Sequence, residues 1–260
     1  GRFVCERDEQ GQWPIECRNK AFITSEQASG VKGFGLWIKE TLGLPLSIIY
    51  DPFDSQRYLF GTLWTLALSA LSILSALGLG YWGAKCILSG SAISAGAVRF
   101  VANFARMTPP LLQMYLVFFG IGGLLHTTFN IMLSPFLVAV WALSFYHGGM
   151  IVFTLLESAA LKLQANPGFQ LTFTTLPSLM EHSTIGIRTA INNLTKATTI
   201  ASAIAVPELL TATIAIIADQ GNVDIMMNLL LVVFYLLSAF WMTSLFWVER
   251  KFLCARQETH

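Results

Sequence analysis

The chain has 260 residues, 54% hydrophobic and 12% charged, with a formal net charge of +1 at neutral pH and a mean hydropathy of +0.60. That composition belongs to an integral membrane protein, so the lipid bilayer is its first expected partner. The near-neutral charge, without a basic block interleaved with aromatics, excludes an electrostatic nucleic-acid binder.

Residues 1–55 are mixed and polar, with an amphipathic stretch around residues 34–42 expected to lie on the membrane surface. The first predicted span, residues 58–84, is free of charge and is closed by Lys85; about 20 apolar residues suffice to cross a bilayer. Small residues fill the connector 88–97, which reads as a short turn or a close helix contact. Arg99 and Arg106 flank the start of a second span over 101–125, and residues 120–130 are expected to form the loop that follows it. A third span over 131–153 is interrupted by the pair Gly148-Gly149, read as permitting close packing. The polar segment 157–175 then leaves the membrane, with a turn at Asn166-Pro167-Gly168. A fourth span covers 183–205, a shorter apolar piece with Glu208 covers 206–223, and a fifth over 225–248 stops at Glu249-Arg250-Lys251. Five spans place the two ends on opposite sides. The connectors with Lys85, Arg99 and Lys162 and the tail with Arg250, Lys251 and Arg256 carry the basic residues, so the positive-inside rule puts the C-terminus in the cytoplasm and the N-terminus outside.

Arg188, Asn192 and Lys196 recur at i, i+4 and i+8 in the fourth span and make one polar stripe. A Lys or Arg at the bilayer centre costs about 2.5–3.5 kcal/mol on insertion scales, so such groups face protein, water or ligand. No acid lies within that helix. The stripe is left with backbone carbonyls, another subunit or an anionic group on a cargo. In one reading Arg188 and Asn192 bind cargo while Lys196 orders the neighbouring backbone; in the other Arg188 snorkels to the interface and Lys196 is a structural donor. Thr108-Pro109-Pro110 must break the second helix, because proline lacks the N–H and clashes one turn back. Such a break lines a substrate path or is a packing kink. Glu208 beside Pro207 reads as a structural cap or gate. The tryptophans, among them Trp64, Trp82, Trp141, Trp241 and Trp247, read as core and interface anchors.

Gly30–Gly35 lacks the Gly-Lys-Ser/Thr of a phosphate loop, and no Ser/His/acid set can be nominated, so the chain is not expected to hydrolyse ATP or to be an enzyme. No zinc spacing or Cys-x-x-Cys occurs, and no metal or cofactor is expected. Of the four cysteines, only Cys5 and Cys17 lie in the polar N-terminal region, where a bridge requires an oxidising compartment. The chain begins with Gly and has no signal-peptide pattern, which raises the expectation of residues removed upstream, including another span.

Several segments then fall into one pattern. Gly61, Thr65, Leu66, Leu68 and Ser69 open the first span; Arg106, Thr108, Pro109, Leu111 and Gln113 follow at the second; Leu176-Pro177, Asn192-Asn193, Lys196, Thr198 and Val206-Pro207-Glu208-Leu209-Leu210 complete it. Over residues 56–250 the chain resembles the membrane-spanning permease subunit of bacterial ATP-binding-cassette importers for polar amino acids. Residues 28–60 are similar to the external segment before the first shared span in the broad-specificity L-amino-acid members, which implies an external N-terminus where Cys5 and Cys17 can pair.

The resemblance implies an all-α membrane fold of about five spans, the type I importer permease fold, in the bacterial cytoplasmic (inner) membrane. Residues 1–55 would be extracytoplasmic, 56–250 the permease domain and 251–260 a cytoplasmic tail. It implies alternating access for a polar amino acid, and three partners: an ATP-binding-cassette ATPase subunit, an extracytoplasmic amino-acid-binding protein and a second permease subunit. The substrate-binding candidates are Arg188, Asn192, Lys196, Thr108 and Gln113; Pro109, Pro207 and Glu208 are gate or structural candidates. The ATPase-coupling loop would lie within residues 154–175. The family's Glu-Ala-Ala-x-x-x-Gly pattern is replaced there by Ser158, Ala159, Ala160 and Gln164, with Glu157 one place early. That departure keeps two rivals open: a non-transporting regulatory or scaffold subunit, and an ion-coupled secondary transporter.

Overall fold

The computed structural model describes residues 30–257, with side chains as far as Lys251. Cys5, Cys17, most of the segment 1–55 and the end of the tail therefore lie outside the described residues. Among the described residues every regular element is helical.

A surface helix α1 (Gly30–Leu42) leads through the single turn α2 (Ser47–Tyr50) to α3 (Pro52–Ser89). Asp51 starts α3 by accepting the Phe53 N–H at 2.8 Å, and Pro52 at the first position forfeits only a donor that has no helical partner. Its 38 residues run roughly 57 Å at 1.5 Å per residue, longer than the ~30 Å hydrocarbon layer. Ser91 caps α4 (Ala92–Met107). After the Pro109-Pro110 break come α5 (Pro110–Tyr115), a π-helical turn Leu116–Ile121 and α6 (Gly122–Phe129), which stops at Asn130 in the left-handed region with φ 53°. The central helix α7 (Pro135–Ala165) follows. Then α8 (Leu176–Ala197) tightens into a 3₁₀ segment, Thr198–Ile204, before α9 (Leu209–Gln220) and the long α10 (Val223–Gln257).

Four helical stretches are long and apolar enough to cross a membrane, Pro52–Ser89, Pro110–Phe129, Pro135–Ala165 and Val223–Lys251. A fifth exists if α8 with its 3₁₀ extension and α9, bent by 55°, form one span. The expected all-helical membrane fold is therefore observed, but its second quarter differs in detail. Residues 101–107 belong to α4, and the second span starts at Pro110, because the two prolines separate what apolar composition had merged. The loop expected over 120–130 is helical to Phe129; the glycines Gly120, Gly122 and Gly123 are absorbed by the π turn and the start of α6. The connector expected over 88–97 shrinks to Gly90 and Ser91. The polar segment expected from residue 157 remains helical through Ala165, so only residues 166–175 are loop, and Gly148-Gly149 does not interrupt α7.

The core forms where α3, α7 and α8 meet. Leu68, Leu143, Ile151, Leu179, Ile191 and Leu194 are fully buried there. Close approach is possible because a Cβ on Gly83 would stand 2.7 Å from Val152 Cγ2, one on Gly148 3.0 Å from Leu79 Cβ, and one on Gly149 2.8 Å from the Ala102 carbonyl. In a bilayer, where apolar surface has no water to escape, such small-residue contacts supply the packing between helices.

Candidate translocation face and its broken helices

Two helix breaks and one polar face make up the candidate site. At the first break, Ala205 adopts φ 61°, a conformation that costs a non-glycine residue on the order of 1–3 kcal/mol and persists only where its surroundings fix it. The fixing groups are specific. Glu208 is fully buried and caps α9: one carboxylate oxygen accepts from the Leu210 N–H at 2.8 Å, and the other accepts from the Thr211 N–H at 2.9 Å and from its hydroxyl at 3.2 Å. The Leu209 N–H donates to Thr65 Oγ1 at 2.9 Å, and that hydroxyl donates to the Gly61 carbonyl at 3.0 Å. Gly61 has no room for a side chain, since a Cβ would lie 2.7 Å from that of Ala212. The Gly61/Thr65 motif of α3 and the Val206–Leu210 motif are thus two halves of one joint. Pro207 is exposed at that joint.

The second break is tied by Gln113. Its amide donates to the Ala105 carbonyl at 2.9 Å and to the Thr108 carbonyl at 2.8 Å, satisfying acceptors left free where Pro109 and Pro110 interrupt the helical ladder. Gln113 is buried at 3% exposure, and Thr108 is the C-cap of α4. Both face the break rather than the α8 stripe.

The α8 stripe divides. Arg188 forms a two-pronged pair with Glu249 of α10, with Nε donating to Oε1 at 3.2 Å and the terminal NH2 nitrogen donating to Oε2, and it also lies over the Phe246 ring. The carboxylate that meets Arg188 is therefore supplied from another helix, a partner absent from the three possibilities raised by the sequence. The local pattern read Glu249 only as part of the charged stop after the last span. Asn192 is half-buried, whereas Thr189, Asn193 and Lys196 are exposed on the face not packed by this chain. Among the described residues the Lys196 ammonium meets no hydrogen-bond or ion-pair partner.

At the inner end predicted by charge bias, Glu157, Ala160, Leu161 and Gln164 form an exposed stripe at helical spacing on the last turns of α7, while Ser158 and Ala159 turn into the core. The following loop is held by Phe173, whose ring stacks on Tyr81 at 4.4 Å, and Lys162 approaches Glu181 of α8 at 3.8 Å. At the opposite end, Gln220 donates to the buried Asp54 at 3.0 Å, Arg57 pairs with Asp219 at 2.7 Å, and Asn222 donates to the Pro45 carbonyl at 2.9 Å. Burial, and secondarily the Asp54 carboxylate, raises the pKa of Tyr50 in this cluster. None of these contacts was anticipated. Among the described residues no group of three or more His, Cys, Asp or Glu is placed to hold a metal ion.

No protein-family model and no curated protein sequence matches the chain. A solved structure does: the crystal structure of an amino acid ABC transporter with histidines, at a TM-score of 0.62 and 15% identity, covering 76% of this chain and 94% of that one. The chain has the fold of an amino acid ABC transporter. At 15% identity the likeness is one of fold.

Proposed function

We propose that the chain is the membrane-spanning permease subunit of an ATP-driven importer of polar amino acids in a bacterial inner membrane, with its N-terminal segment outside. The reading rests on the uncovered α8 face, where Thr189, Asn193 and Lys196 stand exposed within a candidate span. A lysine facing lipid there is costly, whereas one facing a polar path and the carboxylate of an amino acid is not. Within the stripe, Asn192 and Lys196 contact cargo, and Arg188 contributes only if its bond to Glu249 opens. Thr108 and Gln113 serve the path by holding the α4–α5 break. A second permease subunit closes the face, an extracytoplasmic binding protein delivers cargo, and a partner ATPase docks on the Glu157, Ala160, Leu161 and Gln164 stripe and the loop beyond it. Hydrolysis then belongs to the partner.

The scaffold alternative draws on one observation, that the end of α7 carries a buried Ser158 and an exposed Gln164 where the importers have an acid and a glycine. Uptake by the reconstituted complex separates the readings. Lys196→Met and Asn192→Ala are each expected to raise the apparent KM or lower uptake at least tenfold, and uptake is expected to require ATP. Unchanged kinetics in both variants would remove the cargo role. Uptake that ignores ATP and collapses with the proton gradient would replace the importer by a secondary transporter, and no uptake with any cargo would leave the scaffold.

A further inference from the structure

An apolar groove of about 290 Å³ runs between α3, α4 and α7, with no residue of α8 in its lining. Leu79 and Trp82 of α3, Val98 and Val101 of α4, and Phe145 and Val152 of α7 form its walls. Its depth comes from glycine: side chains at Gly83, Gly148 and Gly149 would fill the space where the three helices approach. Trp82 is 58% exposed and Val101 47%, so the groove opens on the outside of the chain.

Lys85 stands one turn further along α3, close to the end of the span. Its ammonium lies 5.1 Å from the Trp82 ring and 5.9 Å from the Tyr81 ring, and among the described residues it pairs with no carboxylate. The same tryptophan therefore borders the apolar groove and the cation. An apolar slot of this size ending at an unneutralised cation near a membrane interface has the chemistry of a lipid tail with a negative head. A zwitterionic phospholipid can fill the slot, but its own ammonium already neutralises its phosphate; an anionic one brings a net charge for Lys85 to balance.

We propose that this groove is a binding site for one anionic phospholipid, with an acyl chain between α3, α4 and α7 and the phosphate at Lys85. The site does not depend on the transport reading, since it shares no residue with the α8 stripe and touches the second helix break only at Ala105.

Native mass spectrometry of the full chain purified in mild detergent, titrated with phosphatidylglycerol and separately with phosphatidylcholine of the same chain length, tests it. The wild type is expected to hold one phosphatidylglycerol at least fivefold more tightly than phosphatidylcholine. Lys85→Gln, at an accessible helix end, is expected to retain a lipid with that preference abolished. Val101→Trp fills the slot from its exposed rim and is expected to lose the tightly held lipid of both kinds, with its helical circular dichroism unchanged. An unaltered preference in Lys85→Gln, or an unaltered tight lipid in Val101→Trp, would overturn the proposal. So would a wild type that retains no lipid, which would leave the groove to be covered by another protein.

Discussion

Glu208 spends both carboxylate oxygens on the first turn of α9, in a place that water cannot reach. Replacing it by alanine leaves the Leu210 and Thr211 N–H groups without acceptors, and we expect a loss of about 1–3 kcal/mol from the missing cap and the stranded donors. Denaturation of the purified chain in detergent measures this, and no loss would show that another acceptor takes over. Arg188 and Glu249 invite a different experiment, because Arg188 keeps a 36% exposed side chain while Glu249 is nearly enclosed. Partial solvation weakens the pair. A double-mutant cycle on Arg188→Ala and Glu249→Ala is expected to give a coupling of about 1 kcal/mol, with Glu249→Ala alone also disturbing the contact between α8 and α10. Strict additivity would mean that the two side chains act separately.

At the scale of elements, α9 is fastened to α3 at both of its ends. Thr65 holds its start, while Asp54 and Arg57 hold Gln220 and Asp219 at its finish. The 55° bend before it lies between α8 and α9. The expected consequence is that α9 travels with α3, and that any opening between conformations is taken up at the bend. Spin labels at exposed Leu63 and Ile214 should keep one separation with and without nucleotide in the assembled complex, while a pair spanning Ile185 and Ile214 should not; a changing first distance refutes the coupling. Gly61→Val is expected to weaken the same joint by about 1–3 kcal/mol through overpacking against Ala212.

Across the whole molecule, the parts legible in sequence were those written in local pattern. Long uncharged runs located α3, α7 and α10, and i, i+4, i+8 spacing located the stripe on α8. The second span was misplaced for a physical reason. Val98, Val101, Ala102 and Ala105 give α4 one apolar face, so its last turns read as continuous with α5 until the prolines divide them, and glycines that mark a loop in water are tolerated in a membrane helix. The site was only half visible. Arg188 and Glu249 are 61 positions apart, and Thr65 and Leu209 are 144 apart; no periodicity connects such pairs. Gln113 was placed on the correct helix, but its task became clear only when both carbonyls it binds came into view.

Lys196 has a further consequence, for the life of the protein in a cell. A copy that has not met its neighbours would hold this ammonium against acyl chains, at a cost of about 2.5–3.5 kcal/mol near the bilayer centre. Under the proposed importer reading, the charge that suits the assembled complex thus makes a solitary subunit a poor resident of the membrane and a target for proteolytic clearance. In cells expressing the chain without partners, Lys196→Leu is expected to lengthen its half-life several-fold, as read by pulse-chase, and to have little effect once partners are supplied. Equal half-lives in both backgrounds would refute this. Such a lysine would act as an assembly checkpoint, matching the amount of this chain to the amount of the partners proposed for it.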